Sequence, residues 1–188
     1  MISFSASSRI ATLLAIVVLL GTSAGQSTQQ PLAAYRVFWN TTLSDFAMIS
    51  VCANAAEMAA VDGDLIRAAR VLAYGQQSAN AASGALHRIP PEWHDRLRLP
   101  LAQAMNAFNA ANNALRVYFA HGKVADLKAA QSDLAQASGA LVNATAAAKA
   151  GYSAIGGHAG DLENLPHATQ SANAALAAAM GDTDTDDQ

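Results

Sequence analysis

From residue 93 onward, apolar side chains return at every third or fourth position: Trp93, Leu97, Leu101, Ala104, Phe108, Ala111, Leu115 and Tyr118. Only an α-helix brings such positions onto one face, and a stripe this long must be covered by other helices. The same spacing runs through Tyr35, Trp39, Leu43, Phe46, Ile49, Ala53, Ala56 and Ala60, and again through Leu127, Ala130, Leu134, Ala137, Leu141, Ala144 and Ala148. A fourth stripe, Leu65, Ala69, Leu72, Gln76, Ala79, Ser83 and Leu86, is small and partly polar. That helix is expected to sit close to its neighbours or to pack loosely. The chain is therefore expected to be all-α.

The breaks between stripes are short and carry the residues that stop helices. Pro31 suits a first turn, where its missing N–H does no harm. Asp62-Gly63-Asp64 offers a glycine for a left-handed cap and an aspartate to cap the second helix. Ile89-Pro90-Pro91 breaks the chain again, and His121-Gly122 closes the third helix. Pro100 cannot donate to Arg96, so a kink or a restart is expected there. Four helices of similar length joined by short connections imply an up-down-up-down antiparallel four-helix bundle over 25–150, each helix about 35–45 Å long. The first hairpin should bring Arg67 or Arg70 beside Glu57. After Gly151 the texture changes: Gly156, Gly157 and Gly160 suggest a flexible linker. Pro166 to Met180 then reads as a short additional C-terminal helix with Ala168, Ala172, Ala175, Leu176 and Ala179 facing inward, so that linker and helix fill 151–181. The final Asp-rich stretch, 182–188, reads as a disordered acidic tail.

The N-terminus has a different character. A polar start with one arginine, the apolar run Ile10 to Leu20 and the small residues Gly21-Thr22-Ser23-Ala24 are the three parts of a secretory signal. The run is too short to span a bilayer comfortably as a helix. Residues 1–24 are therefore read as a signal peptide, with a retained anchor as the alternative. The expected product is a secreted or periplasmic protein beginning near Gly25, without a membrane span.

Alanine fills about a quarter of the chain, far above its ordinary share, and favours long helices whose backbones approach closely. The formal net charge is -3, and four acids stand in the tail. No basic cluster is present, which argues against nucleic acid as a partner. A single cysteine, Cys52, cannot form an internal disulfide, and its apolar neighbours suggest a buried structural thiol.

The stretch Leu86-His87-Arg88-Ile89-Pro90-Pro91-Glu92-Trp93, followed by a long amphipathic helix, a glycine turn and an Ala/Leu helix, carries a resemblance. It resembles a loose group of uncharacterised exported bacterial helical-bundle proteins, rich in alanine, that share a Pro-Pro junction between helical hairpins. The resemblance covers residues 86–150 and rests on a turn signal. It implies a helical fold and an exported compartment, and no activity.

For chemistry, the strongest candidate set is His158, Asp161, Glu163 and His167, whose imidazoles and carboxylates suit zinc or another first-row divalent metal. Their spacing matches no standard ligand template, and a polar solvated linker accounts for them as well. His87 and His94 flank the Pro-Pro loop with Glu92 and Asp95 nearby, where helix-end charge placement explains the acids. No Cys-x-x-Cys-His, di-iron Glu-x-x-His pair, calcium loop or nucleophile elbow is present, so no cofactor and no catalytic residue is expected. Asn106, Asn109 and Asn113 lie opposite the Leu101–Phe108–Leu115 stripe and form either a solvated face or a helix surface for a protein partner or for self-association. The expectation is a non-enzymatic exported bundle acting by binding or structure in the cell envelope or medium. The alternative is a small-molecule or metal-binding bundle using aromatic clusters, Tyr35, Phe38, Trp39 and Trp93 at one end and Tyr118 and Phe119 at the other.

Overall fold

The computed structural model describes residues 29–181. The segment read as a signal peptide and the acidic tail at 182–188 lie outside the described residues. Five α-helices follow one another: α1 (Gln29–Val61), α2 (Leu65–His87), α3 (Pro91–His121), α4 (Val124–Ala154) and α5 (Leu165–Gly181), with a short 3-10 turn at Ala159–Asp161. Among the described residues there is no strand, and no helix is long and apolar enough to cross a membrane.

The turns use the chemistry that the sequence supplies. Gly63 has φ 82, a left-handed value that strains any residue with a Cβ, and Asp64 Oδ1 accepts from the Arg67 N–H at 2.9 Å. Gly122 closes α3 at φ 66, its N–H reaching the Tyr118 carbonyl at 2.7 Å. Pro91 opens α3, and the helix continues through Pro100 without a restart. Asn164 caps α5 by accepting from the His167 N–H at 3.0 Å.

The predicted stripes of α1 and α3 are the core: Tyr35, Trp39, Leu43, Phe46, Ile49, Ala53, Ala56 and Ala60 are all buried, as are Trp93, Leu97, Leu101, Ala104, Phe108, Ala111 and Leu115. Tyr118 is partly buried. On α4, Ala130, Leu134, Ala137, Leu141, Ala144 and Ala148 are buried, and the stripe goes on through Gly151 and Tyr152 to a helix end four residues beyond the expected 150. The extensive pairings are α1 with α2 and α3 with α4, while α1 also touches α3, α4 and α5. The relative register follows from side chains. Tyr35 meets Trp93 at 4.4 Å between ring centroids, and Phe46 meets Phe108 at 6.3 Å. Cys52 lies against Gly75, and Arg116 Nη2 donates to Gln76 Oε1 at 3.2 Å.

Four expectations need correction. The inner face of α2 is Ala68, Val71, Leu72, Gly75, Ala79, Ala82 and Ala85; Leu65, Ala69, Gln76 and Ser83 are exposed. A Cβ on Gly75 would stand 2.8 Å from Cys52 Cβ, so the helix turns its smallest residue to α1 and gains proximity. Glu57 does not wait for an arginine: its Oε1 accepts from Gln131 Nε2 of α4 at 2.6 Å. On α5, Ala168, Ala172 and Leu176 are buried, whereas Ala175 is exposed. The stretch 155–164, expected to be a loose linker, is tied down. Leu162 is buried, Trp39 Nε1 donates to the Glu163 carbonyl at 3.3 Å, and the Glu163 N–H donates to Asn40 Oδ1 at 3.0 Å.

Candidate functional site

One end of the molecule gathers the start of α1, the start of α3 and the end of α4. Tyr35 sits there with 1% of its surface exposed, its hydroxyl donating to the Ala148 carbonyl at 2.9 Å. Its ring stands edge-on to Trp93 and lies 5.5 Å from Tyr152, while Phe38 lies 5.8 Å from Trp93. The arrangement depends on a missing side chain: a Cβ at Gly151 would fall 2.6 Å from the Tyr35 hydroxyl oxygen. Beside these rings opens a cavity of about 210 Å³ lined by Tyr35, Trp93, Gly151, Ala154 and Ile155, with Glu92 and Arg96 completing its wall. Burial pushes the Tyr35 phenol up to about 12, against an opposing pull from Arg96. At neutral pH the phenol is therefore a neutral donor already committed to α4. The groups left for a visitor are one carboxylate, one guanidinium and the narrow exposed edges of Tyr35 and Trp93, a combination that orients a small polar molecule.

The other aromatic pair, Tyr118 and Phe119, sits at the end of α3 with ring centroids 6.3 Å apart. The two groups are separate: Trp93 stands near the start of α3, and Tyr118 and Phe119 near its end. Trp39 belongs to neither surface; it is wholly buried and holds the Glu163 carbonyl.

His158, Asp161, Glu163 and His167 fall into two local pairs. His158 Nδ1 lies 4.0 Å from Asp161 Oδ1 and accepts from the Gly160 N–H at 3.2 Å. Glu163 Oε1 pairs with His167 Nδ1 one helical turn away. Among the described residues no three His, Cys, Asp or Glu side chains converge as a metal site needs. At the Pro-Pro junction His94 contacts Arg98 at 3.2 Å and Asp95 at 3.6 Å. Cys52 is buried, its thiol directed to Met48 Sδ at 3.8 Å, and burial pushes it up to about 11. Such a thiol is protonated and unreactive. Asp45 is raised by burial, with Arg88 pulling the other way.

Asn106, Asn109 and Asn113 are exposed. Asn106 joins Gln103, Asp133, Gln136 and Asn143 along a shallow groove between α3 and α4, floored by alanines and Gly139. Sequence reasoning finds Tyr35, Phe38 and Trp93 but misses Gly151, Tyr152 and Arg96. The signal for the first two is present, since they continue the α4 stripe at three and four residues past Ala148.

No family model, no curated protein and no solved structure matches this chain.

Proposed function

We propose that the chain is a non-enzymatic exported bundle, threaded up-down-up-down, that acts by binding a small molecule at its aromatic end in the cell envelope or medium. The observation that carries this reading is the cavity beside Tyr35 and Trp93, where a carboxylate and a guanidinium stand over the ring edges and a glycine makes room for the Tyr35 hydroxyl at its wall. Ligand sites combine such an apolar lining with a few orienting polar groups. The threading is supported by the register of Tyr35 with Trp93 and of Cys52 with Gly75. Export is supported by residues 1–24, and it agrees with the group of exported helical bundles that the Pro-Pro junction resembles.

Native mass spectrometry of the protein purified from its own host tests the binding. The expected spectrum carries a small-molecule adduct that disappears in Gly151→Ala, where the new methyl group collides with the Tyr35 hydroxyl at the cavity wall. A bare chain, or an adduct indifferent to that substitution, overturns the reading. N-terminal sequencing of the exported product tests compartment: it should begin near Gly25, and a product beginning at Met1 ends that part.

A further inference from the structure

A second groove, between α4 and α5, is unlike the aromatic end in chemistry. Val142 and Ala146 of α4 face Leu165 and Pro166 of α5 across about 610 Å³. Thr145 and Thr169 also line it, but each hydroxyl donates back to its own helix, to the Leu141 carbonyl at 2.9 Å and the Leu165 carbonyl at 2.8 Å. Neither hydroxyl is needed by a visitor, so both residues can present methyl groups to the groove. Val142 is 54% exposed there, a large apolar side chain left in water.

Lys149 is the single charged residue on these walls. It is half-buried, as expected of a stem laid along apolar surface with its ammonium in water. Among the described residues no carboxylate pairs with it; Glu163, the acid just before α5, is engaged by His167. An apolar trough with one uncommitted cation complements a molecule having an alkyl tail and one negative head. From Val142 to Lys149 is two turns of α4, about 10 Å, which limits the tail to medium length.

We propose that this groove binds a free medium-chain fatty acid, its carboxylate on Lys149 and its tail along Val142 and Ala146. Titration calorimetry of the full chain with decanoate and with methyl decanoate tests it. Decanoate should bind at one site per chain. Lys149→Gln should weaken decanoate about tenfold, the loss of one charge-assisted contact, and leave the ester unchanged. Ala146→Phe fills the trough from an exposed position and should abolish binding of both, with thermal unfolding unaltered. Gly151→Ala should leave decanoate binding intact, so that failure at the aromatic end and failure here are read separately. The proposal falls if decanoate does not saturate, if Ala146→Phe still binds it, or if Lys149→Gln affects acid and ester alike. It also falls if Ala146→Phe instead abolishes binding to anionic vesicles or splits a dimer in sedimentation, which would assign the groove to a membrane surface or to a second copy.

Discussion

Helices α2 and α3 solve the same packing problem by opposite means. α3 contributes Trp93, Leu97, Leu101, Phe108 and Leu115, large side chains that reach across to their partners. α2 contributes Ala68, Gly75, Ala79, Ala82 and Ala85, with Val71 and Leu72 as the sizeable members among its buried residues. The first removes much apolar area from water per residue; the second removes little, and instead brings its own backbone up against the Cys52 side chain at Gly75. A reaching helix is damaged by taking atoms away. A closely seated helix is damaged by adding them.

The largest effect should come from subtraction on α3. Phe108→Ala leaves a void opposite Phe46 and should cost about 3–5 kcal/mol in denaturant unfolding, a large part of a stability of roughly 5–15 kcal/mol. Addition on α2 comes next: Gly75→Val should cost about 1–3 kcal/mol through overpacking. Pairing it with Cys52→Ala should recover part of that loss, which a double-mutant cycle reads directly. If Gly75→Val were as mild as a surface change, the closeness of α1 and α2 would be refuted.

A smaller effect belongs to Tyr35. Tyr35→Phe deletes one buried hydrogen bond and should cost about 1 kcal/mol. Its titration has a definite sign. The phenol is raised from 10.0 to about 12 in the folded protein, so the unfolded chain ionises first. Its contribution is therefore complete below pH 10 and is lost as pH rises toward 12. The same window should shrink in Tyr35→Phe when unfolding is followed against pH. The smallest effect is the control: Asn109→Ala, one residue from Phe108 but exposed, should cost about 0.5 kcal/mol or less. Equal mildness at 108 and 109 would mean that α3 faces elsewhere.

The same contrast explains what can be read from the sequence. α1, α3 and much of α4 are legible because large side chains at helical spacing announce a face. α2 reads partly out of phase: Leu72, Ala79 and the partly buried Leu86 face inward as expected, but exposed Leu65 draws the rest of the stripe off by one position. Hydropathy gives no weight to Gly75, whose value lies in what it lacks. The stretch 155–164 misleads for another reason: its glycines speak for local freedom, while Trp39 and Asn40, more than 100 residues away, fix it. At the candidate site the rings of α1 and α3 stand out from their stripes. Gly151 reads as a helix end, which hides Tyr152 behind it. The His158–Glu163 region has the right atoms for a metal, but whether four side chains converge depends on backbone turns that spacing does not reveal.

The attachment of Glu163 to Trp39 and Asn40 has a consequence for the order of events as the chain is made. Synthesis delivers α1 first and the 155–164 stretch and α5 last. Yet Trp39 is sealed only when Glu163 arrives, and α1 is covered in full only once α5 docks. The earliest of the five described helices to emerge is thus the last to be enclosed, and the Trp39 face stays open to other binders until the 155–164 stretch and α5 have followed. A chain cut before residue 163 should carry an exposed Trp39, prone to capture by chaperones. On the proposed export route, where the chain is threaded unfolded through a membrane, that delay keeps it fit for passage.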